Sequence, residues 1–239
     1  MKIELVNLKK KYLPDFELIV EKIDFNSGET IGLVGNNGAG KTTMFKILLD
    51  LININTGNIN INGQSILVND DWKSNLGAFI STDYLIPYLT PLEYFKFVGT
   101  LSGIDNNSIR RKLNYFRNFL SNDIFNLKKK LIRDFSEGNQ VKIGIVATLL
   151  PEPDIIILDE PFFGLDPSSQ IVLKAILNKL SQENSKIIII SSHDLQHVSE
   201  ICSRVIILED GRIVDDKKTG PDTLFELTKY FMKKGRLTD

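Results

Sequence analysis

The stretch GNNGAGKTT, made of Gly35, Asn36, Asn37, Gly38, Ala39, Gly40, Lys41, Thr42 and Thr43, has the spacing G-x-x-x-x-G-K-[ST]. This composition suits a phosphate. Glycines let backbone N–H groups converge without Cβ clashes, and the N-terminus of a following helix adds a positive dipole. Lys41 can reach β- and γ-phosphates, and the Thr42 hydroxyl can ligate Mg²⁺. A glycine-rich turn arising by chance is the plain alternative. The apolar ETIGLVG before the loop and the helical period of KTTMFKILLDLI after it argue against that.

A second stretch, IIILDEPFF, ends a run of three isoleucines and a leucine with two adjacent carboxylates, Asp159 and Glu160. The apolar run reads as a strand buried on both faces, and a charge at its end needs a positive partner. A nucleotide's Mg²⁺ supplies one: Asp159 can hold it, and Glu160 can orient or deprotonate an attacking water. Alone, the pair could equally cap a helix; a phosphate loop upstream favours the chemistry. In DFSEGNQVKIGIVATLL, Ser136, Glu137 and Gly138 open a helix with Ser136 as N-cap. That is a second place for an anion, although a capped helix explains it as well. HDLQH spaces His193 and His197 as in a zinc pair, but it has Asp where H-E-x-x-H needs Glu and no evident third ligand. The expectation is His193 at a strand end and His197 on a helix surface.

The elements that must position these residues follow from periodicity. Alternation of Ile3 and Leu5, then Leu18, Val20, Ile23 and Phe25, predicts antiparallel strands with one buried face. GNININGQSI predicts another half-exposed strand. Helical patterning takes over from about residue 90, with Thr90 as N-cap, Pro91 at the first position and Glu93 completing a capping box. SIRRKLNYFRNFL reads as a second amphipathic helix, after which strands and helices alternate again. The sum is an α/β chain with a parallel central sheet, an N-terminal antiparallel β portion and a helical insertion. A final helix, PDTLFELTKYFMKKG, puts Leu224, Leu227 and Phe231 on one face, expected to dock on the same domain.

Composition narrows the function. A net charge of -1 gives no general attraction to nucleic acid, and the short clusters Lys9–Lys11 and Lys128–Lys130 read as solvated faces. The single cysteine, Cys202, excludes an intramolecular disulfide. The first residues lack the pattern of a secretory signal. No apolar run reaches the roughly 20 residues that span a bilayer, so work at a membrane calls for another chain.

With five motifs in order, the chain resembles the nucleotide-binding subunit of an ATP-binding cassette (ABC) transporter. They are the loop at Gly35, FSEGN at Phe135, IIILDE, GLDP at Gly164 and SSHD at Ser191. The resemblance implies a single P-loop NTPase domain over residues 1–239. Its catalytic core covers about 1–83 and 152–220, the helical subdomain 84–151 and a short tail 221–239. It implies an Mg²⁺-dependent ATP hydrolase in which two copies sandwich two ATP molecules, Ser136 and Gly138 of one copy meeting the γ-phosphate held by Lys41 of the other. Asp166 would lie at the dimer seam, His193 would contact the γ-phosphate, and Tyr12 would stack on adenine. Two departures stand out. Ser81 occupies the place of a metal-contacting glutamine, keeping a hydroxyl but losing the amide, and Glu137 replaces a small residue. The implied partners are a second nucleotide-binding domain, the chain itself by expectation, and a separately encoded membrane permease, with no nucleic acid. The protein would then be cytoplasmic, on the inner face of the cell membrane. The region after Ser81 looks most like export-type cassettes for drugs, peptides or bacteriocins. A cassette working in translation or repair, or a regulatory module at a membrane complex, is the rival.

Overall fold

The computed structural model describes residues 1–12, 16–120, 124–125 and 129–235. Lys128 and the tail beyond 235 lie outside them. Among the described residues ten strands form one mixed sheet: β1 (Lys2–Tyr12), β2 (Phe16–Asn26), β3 (Thr30–Val34), β4 (Thr56–Ile61), β5 (Gln64–Ser65), β6 (Leu76–Phe79), β7 (Ile155–Leu158), β8 (Ile187–Ser192), β9 (Arg204–Glu209) and β10 (Arg212–Lys218). Their order is β5-β4-β1-β2-β10-β9-β3-β8-β7-β6. β9, β3, β8, β7 and β6 run parallel to their neighbours in that stretch. The remaining pairs are antiparallel, apart from a single parallel pairing of Arg212 with Ile19 that joins the two halves.

The apolar runs behave as their composition requires. Every residue of β3, β7 and β8 is buried, as expected for strands covered on both faces. Period-two alternation sends their side chains into two separate cores. Ile156, Leu158, Ile188 and Ile190 join the core shared with the helical insertion. Ile155, Ile157, Ile187 and Ile189 join the core shared with the N-terminal strands.

The helices are α1 (Lys41–Leu48), α2 (Pro91–Leu101), α3 (Asn106–Tyr115), α4 (Glu137–Leu149), α5 (Pro167–Ser181), α6 (Leu195–Ile201) and α7 (Thr223–Gly235). α2 begins with the expected capping box: the Glu93 amide donates to Thr90 Oγ1 at 3.4 Å, and the Thr90 amide donates to Glu93 Oε2 at 2.8 Å. α3 starts earlier than its apolar pattern, because Asp105 accepts from the amides of Asn107 and Ser108. It stops at Tyr115, ahead of the expected FRNFL. The terminal helix corrects one expectation: Leu224 is exposed, whereas Thr223 and Leu227 are buried and Tyr230 and Phe231 pack against the core. The buried stripe is therefore rotated from the one that the leucines alone suggested. Burial pushes the Cys202 thiol up to about 12, which leaves it a packing residue.

α4 crosses β6 closely at Gly144, where an added Cβ would lie 2.4 Å from the Phe79 ring. Gly144→Leu should therefore overpack this crossing and cost about 1–3 kcal/mol, read as a lowered denaturation midpoint with an unchanged slope.

Candidate functional site

The loop after β3 turns through Gly38 (φ 83°) and Gly40 (φ 108°) into α1. Lys41 is buried, and its ammonium donates to the Gly35 carbonyl at 2.7 Å and the Asn36 carbonyl at 3.3 Å. Gly35 and Asn36 thus hold the lysine. Asn37, Gly38, Ala39, Gly40, Lys41, Thr42 and Thr43 line a cavity of about 310 Å³, together with Phe16, Ile80, Asp159 and Glu160.

Asp159 follows β7 and is buried. Thr42 Oγ1 donates to its Oδ2 at 2.5 Å, and the Ser191 hydroxyl donates to its Oδ1. Ser191 also accepts from the Glu160 amide at 2.9 Å. Glu160 sits at φ 47°, a backbone region that is sterically costly for a residue with a Cβ. Its Oε2 lies 2.8 Å from His193 Nδ1 and accepts from the His193 amide at 3.3 Å; its Oε1 is 3.9 Å from Lys41 Nζ. Loop lysine, metal-type oxygens, carboxylate and histidine therefore converge at the carboxyl ends of parallel strands, where such sheets bind ligands.

Other predicted residues stand apart. Tyr12 is 40% exposed and does not line the cavity, whereas Phe16, its partner across the β1–β2 pairing, does. The two rings are 6.3 Å apart. Sequence reasoning missed Phe16; a second aromatic four positions after Tyr12 was the available signal. Ser191 was also missed as a ligand of Asp159, though SSHD had been singled out. Ser81 caps a short 3-10 turn, its hydroxyl accepting from the Asp83 amide at 3.3 Å and donating to Asp83 Oδ2 at 3.2 Å. It borders a separate groove with Tyr84, Leu85 and Tyr94. Ser136 is exposed at the N-cap of α4, but its hydroxyl makes no cap bond. With Glu137 and Gly138, it lies outside the loop cavity of its own chain.

Asp166 is the N-cap of α5. Hydrogen bonds from the Ser168 hydroxyl first, then from the Ser169 hydroxyl and amide and from Lys142, hold its carboxyl far below the usual range. The Lys142 contact, at 3.1 Å, ties α4 to the turn before α5. His197 corrects an expectation. It is buried, because α6 turns this face toward α5 and the turn after Asp159, and its ring lies 4.2 Å from that of Phe162. Burial chiefly lowers its pKa, aided by Lys174 and His193 and opposed by Asp194 and Glu200. Among the described residues no cluster of His, Cys, Asp or Glu could hold a metal by itself.

A phosphate loop facing a strand-end carboxylate pair on a parallel sheet defines a P-loop nucleotide hydrolase. Known proteins resolve the class further. The family model described as ABC transporter matches residues 21–163. An uncharacterised ABC transporter ATP-binding protein of Methanocaldococcus jannaschii is 36% identical over 215 residues, covering 89% of this chain and 76% of that one. The bacitracin transport ATP-binding protein BcrA of Enterococcus faecalis is 32% identical over 218 residues, covering 90% and 68%. A solved ATP-binding subunit of an ABC transporter superposes with a TM-score of 0.82 at 26% identity, covering 97% and 93%. The chain belongs to the ABC transporter family: it is an ATP-binding subunit and an ATP hydrolase.

Asp166→Ala tests the link between α4 and α5. Losing the cap should cost about 0.5–2 kcal/mol at neutral pH. A carboxyl held below its ordinary value of 3.8 stabilises the fold above that pH and loses its contribution as pH falls further. Melting curves should therefore show the gap between wild type and variant wide at pH 7 and narrowing below about pH 4.

Proposed function

We propose that this chain is the ATPase of an exporter, closing as a dimer around Mg-ATP to drive a separately encoded membrane permease. One observation carries the reading. Lys41, Thr42, Asp159 and Glu160 line one cavity and His193 is bonded to Glu160 behind it, while Ser136, Glu137 and Gly138 stand outside it with the serine hydroxyl unused by its own helix. A site finished by the Ser136 segment of a second copy accounts for both halves.

Mg²⁺ fits the residues present. Thr42 Oγ1 and Asp159 Oδ2 are hard oxygen donors 2.5 Å apart, too few for an all-protein cage and suited to an ion that shares its shell with phosphates and water. When bound, it would neutralise charge on the phosphates. Ser81 adds nothing to this pair while its hydroxyl serves Asp83.

The chain's own groups divide the remaining work. Lys41 exchanges its two carbonyl partners for β- and γ-phosphate oxygens, keeping a buried ammonium paired throughout. Backbone amides of the loop and the start of α1 hold the phosphates. Glu160 takes the proton of the attacking water, and His193, already hydrogen-bonded to it, fixes the direction of its carboxylate. Phe16, on the cavity wall, is the better-placed platform for the base, with Tyr12 one ring further out. Asp166 serves the seam through its tie to Lys142.

The permease surface is best supported at the groove beside Ser81, lined by Tyr84 (53% exposed) and the half-buried Tyr94. Exposed aromatics next to a concave surface favour a protein partner. Among the described residues no helix is long and apolar enough to cross a membrane, so a membrane role runs through that partner, at the inner face of the cell membrane. Similarity to a bacitracin transport protein supports export.

Glu160→Gln should reduce ATP turnover by about 10²–10⁴-fold while still binding ATP. Gel filtration with Mg-ATP should show this variant as a dimer. Turnover at the wild-type rate would remove Glu160 from the chemistry, and a strictly monomeric protein with full activity would remove the shared site.

A further inference from the structure

Glu160 opens a tight turn closed by two backbone bonds, from the Phe163 amide to the Glu160 carbonyl at 3.0 Å and from the Leu165 amide to the Phe162 carbonyl at 3.3 Å. Its left-handed backbone, φ 47°, persists only when surrounding contacts over-determine it. The buried Phe162 ring supplies such a contact, and the surface it meets is His197, 4.2 Å between centroids and tilted by 37°.

His197 belongs to α6, which begins just after His193. α6 is held independently of the turn. Val198 and Ile201 are buried, Val198 lying against Gly32 of β3. Lys174 of α5 reaches Glu200 at 2.5 Å, and Gln196 reaches the same carboxylate at 2.8 Å. Asp194 caps the helix through the Gln196 amide at 2.9 Å. The Phe162–His197 stack thus closes a ring of contacts: Glu160 to Phe162 along the turn, across to His197, back along α6 to His193, and from His193 Nδ1 to Glu160 Oε2 at 2.8 Å.

His197's polar atoms contribute little to this arrangement. Nδ1 is buried with no hydrogen-bond partner, and Nε2 is 3.5 Å from Asp194 Oδ2. The aromatic face is what the turn uses.

We propose that His197 is a positioning residue for ATP hydrolysis, its ring holding Phe162 so that Glu160 and His193 keep their mutual geometry. This rests on the roles given above to Glu160 and His193.

Two variants, His197→Ala and His197→Phe, separate ring from nitrogen. Steady-state turnover, binding of a fluorescent ATP analogue and melting temperature are measured on the full chain. In His197→Ala, kcat should fall by about tenfold or more, since small misplacements of reacting groups are costly. KM and nucleotide affinity should stay within about twofold, the pattern of an interaction felt mainly in the transition state. In His197→Phe, kcat should return to within about twofold of wild type and melting should be no lower, because a buried unpartnered nitrogen is removed. Wild-type kcat in the alanine variant overturns the proposal, as does equal loss in both variants.

If His197→Ala fails to fold, Phe162→Leu removes the same stack from the other side and should show the same selective loss of kcat; an unchanged kcat there overturns the proposal. Glu160→Gln assayed in parallel keeps the two readings apart. Full turnover in Glu160→Gln defeats the assignment of the base. Its loss, beside wild-type kcat in His197→Ala, defeats only the positioning role.

Discussion

The buried carboxylate of Asp159 is the point around which the site is organised. Removed from water, such a group costs several kcal/mol unless it is hydrogen-bonded or paired. Here it accepts from hydroxyls on two separate elements, Thr42 at the start of α1 and Ser191 on β8. Its backbone amide donates to the Phe79 carbonyl at the end of β6. One residue thereby brings the phosphate loop and the ends of β6, β7 and β8 together. The hydroxyl of Thr42 and the carboxylate of Asp159, which share this hydrogen bond, are the two oxygens assigned above to the proposed magnesium site.

The sheet explains why these ends stay in place. Because alternate side chains of β7 and β8 enter different cores, the central strands cannot shift by one residue without exchanging every apolar contact on both faces. The helical insertion and the N-terminal strands, far apart in sequence, both press on this layer. The contact of Lys142 with Asp166 adds a direct polar link between α4, which carries Ser136 at its start, and the turn that follows the carboxylate pair.

Much of the site was legible because its motifs are local. A phosphate loop needs glycine spacing, a lysine and a hydroxyl within nine residues, and a strand-end carboxylate pair follows an apolar run. The capping box at Thr90 was legible for the same reason: its donors and acceptors lie within one helical turn. Residues whose roles depend on distant partners were harder to read. Phe16 lines the cavity while Tyr12 does not, although the β1–β2 pairing sets the two opposite each other; their spacing along the chain does not tell which ring reaches the phosphate loop. Ser191 looked like part of a histidine motif, yet its hydroxyl serves a carboxylate 32 positions away. His197 looked like a surface residue because its short helix gives little pattern, and the elements that bury it are contributed by other parts of the chain.

By itself the sequence determined the class of chemistry, a strand–loop–helix with the composition of a phosphate loop, and the alternation of strands and helices around an inserted helical stretch. Each of these depends on residue type and spacing over a few turns or strands. Tertiary structure alone decided which aromatic lines the cavity, that His197 lies under the turn holding Glu160, and which stripe of α7 is buried, with Leu224 left in solvent. Side-chain burial and ring contacts are properties of surfaces meeting in space, and neither periodicity nor spacing along one segment carries the position of the other surface.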